Sequence, residues 1–129
     1  MFSVERTSYL FFLVTLLGVG PRASAVEIFL HCEGTSSRLG NVSVRATLRA
    51  LNGVQLVSLS ETIGQLPERD LGQLSFGHQD QNGETYERLV GTDRSDGTES
   101  YLLISQRTLN GTYTLAGETL PVDCTEESP

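Results

Sequence analysis

Asn52-Gly53, Asn82-Gly83, Asp96-Gly97 and Asn110-Gly111 restrict this chain more than any other feature. Asn-Gly and Asp-Gly favour two-residue hairpin turns, because both central residues of a type I′ turn need φ > 0. Between these dipeptides, apolar residues recur at every second position. In 41–51, Val42, Val44, Ala46, Leu48 and Ala50 share one face, and Ser43, Arg45, Thr47 and Arg49 share the other. That is the pattern of a strand with one side in a core and one in water. Strands are expected at 27–33, 41–51, 54–60, 70–78, 84–91, 98–105, 111–116 and 118–124. The segment 61–69 contains Pro67 and reads as a loop or a broken edge. No part of the chain after residue 25 keeps a helical period for three turns.

The expectation is therefore an all-β domain: a single antiparallel β-sandwich or an up-and-down barrel of seven to eight strands. Pro121 lacks an N–H, which places 118–124 at an edge or gives it an irregular pairing. An exposed edge can also recruit a second strand, so association by sheet extension belongs to the expected repertoire. Residues 26–124 form the domain in this reading, and 125–129 (Thr-Glu-Glu-Ser-Pro) form a frayed acidic tail.

Residues 1–25 read as a cleaved secretory signal peptide. An apolar run from Leu10 to Val19 is followed by Gly20-Pro21 and then by Ala23-Ser24-Ala25, small residues at the −3 and −1 positions of a cleavage site. The run has about ten residues, half of the ~20 needed to span a bilayer, so no membrane span is expected in the mature chain. The protein is then exported, to a periplasm or beyond. In that oxidising setting Cys32 and Cys124, one on the apolar face of the first strand and one on that of the last, form a structural disulfide. In the chain-entropy picture such a long loop contributes up to ~4–5 kcal/mol.

Composition excludes several functions. Nine basic residues, all Arg, face 16 acidic ones, for a net charge of −7. Nucleic acid and anionic membranes both require clustered cations, so neither is an expected partner. The chain contains no Lys, which rules out Schiff-base and P-loop lysine chemistry.

Catalytic residues are not indicated. His31 and His78 are the only histidines, both read as solvated, and the nucleophile-elbow pattern Gly-x-Ser-x-Gly is missing. No metal site or cofactor is expected. Zinc would have to consume a disulfide cysteine, and 92–97 and 78–82 lack EF-hand calcium spacing and read as plain turns. Arg45 and Arg49, with Arg38 upstream, could bind a carboxylate or phosphate through bidentate contacts. The competing reading pairs them with acids such as Glu84 or Glu87 on a neighbouring strand. Tyr86, Tyr101 and Tyr113 read as core. Asn41-Val42-Ser43 and Asn110-Gly111-Thr112 fit the N-glycosylation pattern.

The layout resembles the small periplasmic β-barrel inhibitors of lysozyme. The similarity rests on Phe29-Leu30-His31-Cys32-Glu33-Gly34 as an opening, Leu120 to Cys124 as a closing strand, and Ser95 to Tyr101 against their inhibitory loop. It covers the two ends and one loop, implies a barrel and an inhibitory role, and assigns no site residue. The expected function is that of an exported, disulfide-stapled, non-catalytic domain that binds a partner, in its sharpest form an inhibitor of a secreted hydrolase. A small-molecule-carrying barrel is the alternative, and an enzyme a more distant one.

Overall fold

The structure is a computed structural model that describes residues 26–127; the leader expected at 1–25 lies outside them. Nine strands follow one another: β1 (Val26–Ser36), β2 (Gly40–Ala50), β3 (Val54–Ile63), β4 (Arg69–Asp70), β5 (Gly72–Gln81), β6 (Glu84–Thr92), β7 (Glu99–Ser105), β8 (Asn110–Leu115) and β9 (Glu118–Glu127). They form a single antiparallel sheet in the order β4-β3-β2-β1-β9-β8-β7-β6-β5. Because β1 pairs with β9, the chain runs up and down around a nearly closed barrel. The barrel replaces the sandwich alternative, and the count exceeds eight only through the two-residue β4.

β4 and β5 are one extended run that changes partner at Leu71. Arg69 and Asp70 pair with Glu61 and Ser60 of β3, and from Gly72 onward the run pairs with β6. Leu71 donates its N–H to the carbonyl of Leu59 (2.9 Å) at the switch. The segment 61–69 is therefore divided: Glu61–Ile63 complete β3, and Arg69 opens β4. A bulge opposite Thr47 and Leu48 shifts β3 by one residue, so Leu56, Leu59 and Glu61 all face inward.

The barrel interior holds Ile28, Leu30, Val44, Leu48, Leu59, Leu89, Leu102, Ile104, Tyr113 and Leu120, all buried. Each fully buried Leu or Ile contributes roughly 1.5–3 kcal/mol. Tyr113 is core as expected. Tyr86 and Tyr101 differ: both are half-buried on the outer face, and Arg88 stacks over the Tyr101 ring at 5.6 Å. At Gly91 a Cβ would stand 2.7 Å from Leu71 Cβ and 3.0 Å from a Leu59 methyl. The glycine thus makes room for the residue at which the closing strand changes partner.

Cys32 and Cys124 are register partners on β1 and β9, with Cα atoms 3.9 Å apart, and form a disulfide across 92 residues. This is a non-hydrogen-bonded pair, the position where facing side chains come closest. The first and last strands are stapled, as the sequence implies.

Three local expectations change. Asn110-Gly111 is not a turn. Both residues lie in β8, the positive φ falls on Leu109 (64°), and a Cβ on Gly111 would sit 1.6 Å from the Leu103 carbonyl oxygen. The glycine permits close strand approach instead of reversing the chain. Pro121 does not mark an edge, since β9 lies between β8 and β1; the alternative expectation, an irregular pairing, holds. The Ala116-Gly117 turn fixes the β8–β9 register so that the missing N–H would have pointed at β1, and the β1–β9 ladder stops at Gly34–Val122. Finally, Thr125, Glu126 and Glu127, expected in a frayed tail, continue β9 opposite His31, Leu30 and Phe29.

Candidate functional site

On the outer face of β1, β2 and β9, the register that buries one side of each strand brings polar groups together on the other. Glu33 lies opposite Ser43 on β2 and opposite Asp123 on β9. Two carboxylates thus face each other across adjacent strands, an arrangement that works against folding. They border a cleft of about 520 Å³ lined also by Thr35, Asn41, Ser43, Thr62 and Pro121, with no basic residue in its lining. At Gly34 the strands approach closely: a Cβ would stand 2.4 Å from the Pro121 carbonyl oxygen and 2.8 Å from a Leu120 methyl.

His31 sits beside this cleft, with its side chain 19% exposed. Its Nε2 is 2.8 Å from Ser43 Oγ and 3.2 Å from Glu33 Oε2, and its Nδ1 is 3.5 Å from Glu127 Oε2. The outward position agrees with the sequence pattern, but the ring is clamped where full solvation was expected. A base in contact with a hydroxyl is part of what nucleophilic catalysis needs. The arrangement ties Glu33 and Glu127 to the two nitrogens of one ring.

The two candidate binding arginines are separated in role. Arg49 pairs with Glu27, its register partner on β1, at 3.2 Å. Cross-strand pairing holds for it, with an acid other than Glu84 or Glu87, which lie on β6. Arg45 stands opposite His31 and Ser60 and has no ion pair among the described residues. Arg38 binds Glu118 (3.7 Å) and the Ala116 carbonyl (3.2 Å).

A second polar cluster crosses the interior. Glu61 is 1% exposed and accepts bonds from the Tyr113 hydroxyl and from Arg69, whose Nε lies 2.8 Å away. Arg69 also binds Asp93, in the loop after β6, so it ties β4 to both sides of the seam. Burial, reinforced by the Glu61 carboxylate, pushes the Tyr113 phenol far above its usual range. Asp93 is held below the usual carboxylate range, first by the Ser95 hydroxyl and backbone N–H and then by Arg69. In the same loop Asp96 accepts from Thr98 N (2.8 Å), so both aspartates of 92–97 serve their own turn. Sequence reading missed Glu61 because an acid in the core breaks the alternation rule. The signal available was its spacing: Leu59, Glu61 and Ile63 keep the period.

At one end of the barrel, Glu87 is buried and accepts from Gln106 Nε2 (2.5 Å), with His78 Nδ1 3.0 Å from its other oxygen. Burial pushes this carboxyl above its ordinary range, against the opposing effects of Gln106 and His78. His78 itself is 59% exposed, consistent with its expected solvation, and its ring meets Phe76 edge-on at 5.6 Å.

Comparison with protein families, with curated proteins and with solved structures finds no match for this chain.

Proposed function

We propose that this is an exported, non-catalytic binding domain whose outer β1–β2–β9 face receives a basic protein surface, and that it acts as an inhibitor of a secreted hydrolase. The observation that carries the reading is the acid-lined cleft. Glu33 and Asp123 oppose each other across paired strands, and nothing basic lines the space between them. An incoming Lys or Arg side chain would relieve the like-charge contact, a gain that arises only in the complex. The net charge of −7 would steer a cationic enzyme toward the protein.

Two further observations favour this over a ligand carrier. Large side chains fill the interior, among them Tyr113, Leu48, Leu89 and Leu102, each 0% exposed. Most polar residues lining the Glu33–Asp123 cleft, among them Thr35, Asn41 and Ser43, stand on the outer face of their strands. The disulfide suits an oxidising compartment, in keeping with the leader read from the sequence.

The test is a panel of secreted hydrolases, basic and acidic, assayed for inhibition by the mature chain at low and high salt. Inhibition of a basic member should weaken with salt. Replacing both acids (Glu33→Gln with Asp123→Asn) should raise its Kd roughly tenfold or more, mainly through the association rate. Indifference of every basic enzyme at low salt would refute the reading.

A further inference from the structure

We propose that the free edge of β5 is a self-association site, pairing antiparallel with the same edge of a second copy of this chain. β5 ends the sheet, with β6 on one side only. The β5–β6 turn is two residues long, Asn82 at φ 54° and Gly83 at φ 79°, the type I′ geometry. Such a turn makes its flanking residues, Gln81 and Glu84, a pair that exchanges both N–H···O bonds, and the pattern alternates from there. Gln79–Tyr86 and Gly77–Arg88 are then the next bonded pairs. The N–H and C=O groups of Phe76, His78 and Asp80 consequently aim away from β6, at the open side.

The two ends of the sheet are treated differently. At the β3 end, β4 covers Ser60 and Glu61 and is tied down by Arg69 on Glu61 and Asp93, and Leu71 bonds the Leu59 carbonyl beside it. The outer half of β5 carries no such guard. Residues 75–81 include neither Lys nor Pro, the residues that usually blunt an edge, and Gly77 has open space where a side chain would stand.

The sequence of this edge complements itself. Only residues with outward N–H and C=O can form the bonded pairs of a new ladder, which restricts the register. A two-fold axis through Gln79 satisfies that condition and sets His78 against Asp80 of the partner subunit, and Asp80 against the partner's His78. Gln79 then meets its own copy, amide to amide. An imidazole N–H can donate to a carboxylate oxygen across such a pair. Both side chains have capacity left: the His78 Nδ1 is turned to Glu87 and its Nε2 is free, and Asp80 Oδ1 accepts from Thr85 (2.9 Å) while Oδ2 is open. An isologous contact of this kind closes at two copies. The ladder is about five residues long, so the buried area falls below that of a standard interface and the dimer is weak.

Sedimentation equilibrium of the mature, disulfide-intact chain over ~5 µM to ~500 µM should show the average mass rising toward twice that of the monomer. Asp80→Lys, an exposed change that removes the acceptor at both His78 contacts, should keep the protein monomeric over the same range with an unchanged circular dichroism spectrum. Asp80→Pro deletes one outward N–H without touching the β6 ladder and should have the same effect. In the native protein, amide exchange at Phe76, His78 and Asp80 should slow with concentration. A chain that stays monomeric throughout overturns the proposal. So does a dimer that survives both substitutions, or concentration-dependent protection on strands other than β5.

Discussion

Tyr113 on β8 donates its hydroxyl to Glu61 on β3, four strands away around the barrel. The bond joins opposite walls through the core, and Arg69 completes it from the seam. Tyr113→Phe removes the donor and leaves a fully buried carboxylate oxygen short of a partner, which should cost about 1–3 kcal/mol in urea unfolding. Glu61→Leu with Tyr113→Phe together should cost less than the sum of the single changes, because the pair acts as a unit. Additive effects within ~0.5 kcal/mol would show that the two residues are energetically independent.

The same phenol makes an alkaline prediction. Burial raises its folded-state pKa above the unfolded value, so the folded protein holds this proton longer than the unfolded chain does. Stability should therefore fall as pH rises above the ordinary tyrosine range of about 10. In an ultraviolet titration of the mature chain, the Tyr113 phenol should ionise only together with loss of the fold. Tyr113→Phe should abolish that last, unfolding-linked step.

Gly91 tests how the barrel closes. Gly91→Val would place new carbon against Leu71 Cβ and a Leu59 methyl. Overpacking of this kind costs about 1–3 kcal/mol. The damage should be local, with raised amide exchange at Leu71, whose N–H bonds Leu59, and little change in the β1–β9 ladder. Gly91→Ala, which adds one carbon, should cost less than Gly91→Val if the clash is the cause.

How far the fold was legible depended on how local its causes are. Strand positions, the inward face of β2 and the Cys32–Cys124 staple follow from period-two alternation and from where each cysteine falls on it. Three features have non-local causes. Gly111 reads as a turn until the Leu103 carbonyl is known to lie against it. Pro121 reads as an edge marker until the β8–β9 register shows which strand its missing donor would have faced. The bulge in β3 moves Glu61 to the inside, and its partners Arg69 and Tyr113 lie 8 and 52 residues away. The same holds for the candidate cleft. Glu33 and Asp123 are unremarkable surface acids in sequence, and only the pairing of the first and last strands sets them face to face.

The disulfide should set the stability of the whole barrel, because it fastens the two chain ends that complete the β1–β9 ladder. Reduction, or Cys32→Ala with Cys124→Ala, should lower stability by about 2–5 kcal/mol. Because β9 is also held by β8, loss of the link should not release β9 from the sheet at once. Native-state exchange should instead show β1 and β9 opening together at free energies closer to global unfolding than those of β4. Opening of β9 alone would mean that the β8 pairing is weaker than its register suggests.

Glu87 gives a prediction of opposite sign to that of an ordinary paired carboxylate. Its folded-state pKa is raised, chiefly by burial, so between the unfolded and folded values the folded protein binds more protons than the unfolded chain. By linkage, stability must fall as pH rises through that window, and the protonated side is the more stable one. Gln106 and His78 contact the carboxyl and limit the effect without reversing it. Glu87→Gln removes the charge while keeping an oxygen for Gln106, and its added amide can donate to His78. The variant should therefore melt above the wild type at pH 7–8, and the gap should close as pH falls below the ordinary glutamate range of about 4, where wild-type Glu87 becomes protonated in both states. Asp93 provides the internal control. Its folded-state pKa is lowered, so its contribution is present at neutral pH and lost only on acidification, and Ser95→Ala should move that acid limb to higher pH. A Glu87→Gln variant that is destabilised equally at both pH values would show that the His78 and Gln106 contacts outweigh burial at this position.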